Sequence, residues 1–210
     1  MELPPVVTVG GDLPSDVVSR ALDCELVAVD TETSGLRPGK DRLDLVQVFV
    51  PTIGVYLLRP TRGAVPSGLG RLLEAEDSLK VFHYAPFDLA FITAAWGFQP
   101  RGIRCTKAAS KLLSPQARPE DHSLQQVLLR TLGVELDKGD VRVSDWSTPE
   151  LSEAQQKYAV ADVAHLLTLF GLQAAQLRSK GLWDDYLQVC HYMPVEARLR
   201  VSGFPDPLAY

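Results

Sequence analysis

The chain has 210 residues, 46% of them hydrophobic and 22% charged, and a formal net charge of −5. That composition suits one soluble core and excludes both an intrinsically disordered chain and, with only 15 Gly and 15 Pro scattered along it, a collagen-like or low-complexity one. The acidic balance argues against a protein that coats long nucleic acid through a wide basic surface, but leaves room for a small nucleic-acid substrate at a carboxylate-rich site.

In chain order, Val6 to Val9 reads as an edge strand and Pro14 to Asp23 as a short amphipathic helix with Val17, Val18, Ala21 and Leu22 inward. β-branched or alternating runs at Leu26 to Asp30, Asp44 to Val50, Val55 to Leu58 and Lys80 to His83 predict the sheet. From Pro66 the period lengthens. Gly68 to Glu76, Pro86 to Trp96, Thr106 to Leu113, His122 to Leu132 and Ser152 to Ser179 place apolar residues at helical intervals, with Pro86 at a first-turn position and Gly97, Gly133 and Gly181 as stops. Ser114 to Asp121 and Asp137 to Pro149 read as loops too short to link domains. Three strands in sequence, then helix, strand, helix and a helical tail, predict an α/β ribonuclease-H-like fold with a mixed central sheet flanked by helices. One domain over 1–210 is expected, with its core at about 24–180 and a C-terminal helix and tail over 181–210.

No stretch reaches the roughly 18 consecutive apolar residues of a membrane span, and the start lacks a basic head before an apolar run, so a cytoplasmic protein is expected. Cys24, Cys105 and Cys190 are widely spaced, with no CxxC pair, and read as buried thiols rather than a disulfide framework or zinc site.

Three signals carry chemistry. Asp30-Thr31-Glu32 leaves an apolar strand, and alternation puts both carboxylates on one face, where they repel unless a cation neutralises them. Asp88 opens the helix that begins at Pro86, and Tyr158 and Asp162 share a helical face four residues apart. Each has an ordinary explanation taken singly: a solvated strand end, compensation of a helix dipole, a hydrogen bond at the edge of the core.

Their joint order resembles the DEDD exonucleases of the tyrosine-bearing subclass. Arg42 to Val48, Ser144-Asp145-Trp146 and Leu151 to Val163 are similar to the matching stretches of ribonuclease D. The Gly11-Asp12-Leu13-Pro14 start, Cys105-Thr106-Lys107 and the form His83-x-Ala85-x-Phe87-Asp88 look more like the stand-alone nanoRNase C group. Tyr84 stands where proofreading relatives commonly carry Asn, and, with about 45 residues after Asp162 here, the helical domains that follow in ribonuclease D are not expected.

The resemblance implies a metal-dependent 3′-to-5′ exoribonuclease acting on short single-stranded RNA, dinucleotides included, and releasing nucleoside 5′-monophosphates. Two divalent ions, Mg2+ or Mn2+, suit hard carboxylate ligands and can activate a water and neutralise the leaving 3′ oxygen. By resemblance Asp30 bridges the ions, Glu32, Asp88 and Asp162 complete their shells, and Tyr158 orients the attacking water. Thr31, Leu36, His83 and Phe87 are candidate substrate contacts, Leu36 and Phe87 as apolar faces for the terminal bases. It also implies a homo-oligomer, an octamer in nanoRNase C relatives. Trimming of structured RNA 3′ ends, a DNA-directed exonuclease and a catalytically silent binding module are the competing readings. The terminal run Phe204 to Tyr210 invites a docking role.

Overall fold

A computed structural model describes residues 3–136, 139–204 and 207. Its strands are β1 (Val6–Gly10), β2 (Leu26–Thr33), β3 (Leu43–Val50), β4 (Gly54–Arg59), β5 (Leu79–Phe82) and β6 (Ile103–Cys105). They form one mixed sheet in the order β1-β4-β3-β2-β5-β6. The three central strands run antiparallel to their neighbours in sequence, while β5 and β6 continue parallel to β2, and β1 pairs parallel with β4 at the far edge. Val27, Ala28 and Val29 of β2 are all fully buried, the pattern of a strand covered on both faces.

The helices are α1 (Ser15–Leu22), α2 (Ser67–Glu74), α3 (Ala85–Trp96), α4 (Thr106–Leu113), α5 (Leu124–Leu132), α6 (Glu153–Ala164), α7 (Leu166–Ser179) and α8 (Trp183–Val201). α6 and α7 lie against the central strands, with α4 and α5 packed outside α7; α3 covers the opposite face and α8 stacks on α3 and β6. The expected α/β architecture with a mixed, helix-flanked sheet is what forms. Gly97 and Gly133 end α3 and α5 in the left-handed conformation, where glycine is favoured because it lacks a Cβ. α6 starts at a capping box: Ser152 Oγ accepts from the Gln155 amide at 3.2 Å, and Gln155 Oε1 accepts from the Ser152 amide at 3.0 Å.

Three details differ from the sequence reading. β6 was not anticipated, because three residues give no periodicity to read. The helix expected over Ser152 to Ser179 breaks at His165, where no Gly or Pro marks the junction. Each loop holds a 3-10 turn, at Pro119–His122 and Asp140–Val143.

Cys105 and Cys190 are buried free thiols, whereas Cys24 is only partly buried. The run Glu153–Ser179 is long and apolar enough to cross a membrane by composition, yet 56% of its most apolar window is buried inside the fold, as in a core helix. Of the terminal run, Phe204 is exposed and Pro205, Asp206, Leu208, Ala209 and Tyr210 lie outside the described residues.

Candidate active site

The site forms where β2 leaves the sheet. Asp30 and Glu32 project from the same side of β2, towards α6, and α6 returns Tyr158 and Asp162 to them one turn apart. Carboxylate oxygens of Asp30, Glu32 and Asp162 all lie within 4.8 Å of one another. Three carboxylates this close repel strongly, so the donor set is one that a hard divalent cation fits and stabilises.

Asp88 reaches the site from the other face, in the first turn of α3. It is buried, and Thr31, facing away from Asp30 and Glu32, donates from Oγ1 to Asp88 Oδ1 at 2.6 Å. Burial pushes the Asp88 carboxyl up to about 7, and the charge of Asp162 adds to that, against the Thr31 hydrogen bond. Asp88 therefore stands just outside the triad while feeling its field. Thr31 positions a carboxylate with the hydroxyl hydrogen that a substrate contact would need.

Tyr158 is buried beside the acids. Its phenol is raised well above its ordinary pKa, first by burial and then by the charges of Asp162, Glu32 and Asp30. It stays protonated and is a hydrogen-bond donor. Behind it the Trp146 ring lies 5.8 Å away, centroid to centroid. The Trp146 loop is tied down twice: Gln155 Nε2 donates to Ser144 Oγ and to the Asp145 carbonyl, and Arg59 donates to the carbonyls of Pro149 and Ser147. Trp146 packs, as tryptophans in such loops usually do.

Gln47, which belongs to none of the three acidic signals in the sequence, joins the acids in the structure. It sits on β3 directly across from Asp30, fully buried, and its Nε2 donates to Asp30 Oδ2 and Glu32 Oε1, both at 3.4 Å. Its sequence signal is a lone amide in the apolar run Leu45 to Val50. The other candidates separate by exposure. Leu36 is 73% exposed beyond the end of β2, and Phe87 is partly buried with its ring 4.9 Å from Phe91. His83 is held within the protein, Nδ1 to Thr106 Oγ1 at 2.8 Å and Nε2 to the His122 carbonyl at 3.1 Å.

A separate cleft of about 790 Å³ is lined by Lys40, Arg42, Arg59 and Arg62 together with Phe91 and Trp96, and by none of the site's four acids or Tyr158. Arg42 pairs with Asp44 at 3.0 Å and Arg59 is spent on carbonyls. Lys40 and Arg62 have no carboxylate partner among the described residues.

Residues 9–175 match the family model described as a 3′-5′ exonuclease. The chain belongs to that family. Ribonuclease D of Zymomonas mobilis is 32% identical over 189 residues, covering 88% of this chain and 47% of the relative, so the chain spans about half the length of the curated relatives it matches. Brucella melitensis NrnC bound to pGG superposes with a TM-score of 0.89 at 30% identity, covering 99% of both chains. The same protein with bound Mg2+ gives 0.87 at 30% identity, covering 98% of both. The chain is thus ribonuclease D-like and of the NrnC type, as its motifs led one to expect.

Proposed function

We propose that the chain is a divalent-metal-dependent 3′-to-5′ exoribonuclease that hydrolyses short oligoribonucleotides, dinucleotides included, to nucleoside 5′-monophosphates. The observation that carries this is the carboxylate triad Asp30, Glu32 and Asp162 with Asp88 and a protonated Tyr158 around it. Full-length likeness to a protein seen with pGG and with Mg2+ supports the substrate class and the ion.

Asp30, Glu32 and Asp162 would hold one ion, and Asp30 with Asp88 a second. Bound there, Mg2+ or Mn2+ supplies Lewis-acid stabilisation of phosphoryl charge and lowers the pKa of a water. The residues do the rest. Gln47 fixes the rotamers of Asp30 and Glu32, and Thr31 fixes that of Asp88. Tyr158, kept protonated by its surroundings, donates a hydrogen bond that orients the attacking water; it does not take the proton. Water oxygen then bonds to phosphorus as the bond to the 3′ oxygen breaks, the water's proton passing to bulk solvent, which also protonates the departing 3′ oxygen. Leu36 and Phe87 offer base-independent apolar faces to the terminal nucleotides.

The basic-lined cleft favours a second reading, ribonuclease-D-like trimming of longer RNA, because Lys40 and Arg62 line it without carboxylate partners among the described residues and would attract a phosphate backbone. End-labelled RNAs of two to about twenty nucleotides, incubated with Mg2+ or Mn2+, decide between them. Two- to four-nucleotide RNAs should be cleaved faster than a twenty-mer at matched concentration, with a ratio that moderate salt leaves unchanged. Faster turnover of the twenty-mer or of tRNA-like 3′ ends overturns the short-RNA reading.

A further inference from the structure

β6 is the last strand of the sheet, and α8 packs against it. Between them lies a further cleft, of about 430 Å³, at the end of the sheet where β5 and β6 begin, whereas Asp30, Glu32 and Asp88 gather where β2 and β5 end. It is remote from the acids. Its volume is that of a small-molecule site.

The charges that line it do not balance. Arg101, Arg104 and Arg198 stand there with His191, against one carboxylate, Glu76. Glu76 meets Arg101 at 3.6 Å with the two side chains 70% and 62% exposed, a pairing that water largely screens. Arg104 and Arg198 pair with no carboxylate among the described residues. The Lys80 ammonium, buried on the carbonyls of Ala75 and Ser78, feels the same crowding: burial first, and then the charge of Arg104, push its pKa down to about 8.

Arg104 shows what the cleft lacks. Its Nη1 donates to the Ile103 carbonyl at 2.8 Å, but its Nε is buried with no partner among the described residues. A buried donor on a charged group costs more to leave unpaired than a neutral one. Across the cleft, on α8, Arg198 is exposed and reaches only its own helix, Nη1 to the Pro194 carbonyl at 3.5 Å, the limit of a hydrogen bond. An anion between these two guanidiniums would satisfy Nε and offset the crowding of cations. Guanidinium forks match the oxygens of a phosphate, and Leu79, Leu187 and Val195 add an apolar wall on which a flat ring can rest. The reaction read from the acids releases a molecule with both parts, a base and a phosphate monoester of about two negative charges.

We propose that this cleft binds a nucleoside 5′-monophosphate at a site separate from the catalytic one, the phosphate between Arg104 and Arg198 and the base against Leu79, Leu187 and Val195. The inference rests on the exonuclease reading for the source of the nucleotide, but binding without metal tests it apart from hydrolysis.

Calorimetry in EDTA, where the metal-free acids repel a phosphate, compares GMP, inorganic phosphate and guanosine, in parallel with Mg2+-dependent hydrolysis of pGG. The parent should bind GMP at least about tenfold more tightly than either fragment. Arg104→Gln should weaken GMP about tenfold, as expected for losing one charge-assisted contact, and guanosine less than about twofold. Arg198→Gln, on an exposed side chain, should weaken GMP about threefold to tenfold with the melting temperature of the free protein unchanged, so it carries the test if Arg104→Gln does not fold. GMP should raise the melting temperature of the parent and leave that of Arg104→Gln where it was. GMP that binds no better than phosphate, or that is indifferent to the arginine variants, overturns the proposal. So does an affinity that follows Glu32→Gln instead of Arg104→Gln, which would put the nucleotide at the acids. A parent that hydrolyses pGG but binds no GMP in EDTA defeats this inference alone. One that binds GMP through Arg104 but hydrolyses nothing defeats the exonuclease reading alone, and one that does neither defeats both.

Discussion

Asp88 is the residue at which stability and function conflict most openly. Its carboxyl is raised to about 7 by burial, with Asp162 adding to the shift, so the folded protein holds a proton that the unfolded chain has released above about pH 4. Stability without metal must then fall as pH rises from about 4 to 7, with the full penalty present above 7. Asp88→Asn removes the charge and keeps an oxygen for the Thr31 hydroxyl. In EDTA the variant should melt a few degrees above the parent at pH 8 and converge with it near pH 4; a gap that does not depend on pH would refute burial as the cause. Tyr158→Phe isolates the other half of the site, since the ring stays packed on Trp146 and only the hydroxyl is lost. kcat should fall about ten- to hundredfold with Mg2+ affinity unchanged. Unchanged kcat with raised KM would remove the water-orienting role.

Among the elements, α8 does for the site what no catalytic residue can: it holds β6 and α3 in place from behind. Tyr186 is fully buried, and its hydroxyl accepts from the Cys105 amide at 2.8 Å, at the junction of β6 and α4. Tyr186→Phe leaves that amide buried and unpaired, a loss of about 1–3 kcal/mol. Chemical denaturation should show it as a lower midpoint at constant slope, with kcat/KM near the parent's; a collapse of activity at full stability would give Tyr186 a different role. This support was invisible in the sequence, because β6 offers three residues and Tyr186 gains meaning only once α8 docks. The four acids and Tyr158 were legible for the opposite reason: polar residues at strand exits and helix starts break an otherwise apolar pattern and recur in a family order. Gln47 broke the pattern too. What singles it out is the β2–β3 register, which places it opposite Asp30, and register is a property of the paired strands rather than of either alone. The turn of Thr31 towards Asp88 likewise depends on a neighbour far away in sequence.

At the scale of the whole molecule, a chain of net charge −5 gathers three of its carboxylates within 4.8 Å and a fourth nearby, so folding itself works against electrostatics at this place. The ribonuclease-H-like sheet tolerates that because the acids sit at its rim, on the ends of β2 and of helices from both faces, while the apolar core between α6 and α3 carries the stability. A divalent ion that binds only the folded state adds to that stability by mass action, about 2.7 kcal/mol at a hundredfold excess over Kd, or roughly 5–10 °C for a domain of this size. Mg2+ should therefore raise the melting temperature, and Glu32→Gln should alter both ends of the comparison. Removing one charge from a repelling cluster should leave the variant in EDTA melting at or above the parent, while its gain on adding Mg2+ shrinks. Monovalent salt at equal ionic strength controls for general screening and should reproduce only a minor part of the parent's shift. A parent whose melting temperature ignores saturating Mg2+, or a Glu32→Gln variant that melts lower in EDTA yet gains as much from Mg2+, would show that Asp30, Glu32 and Asp162 are held together for some reason other than a cation.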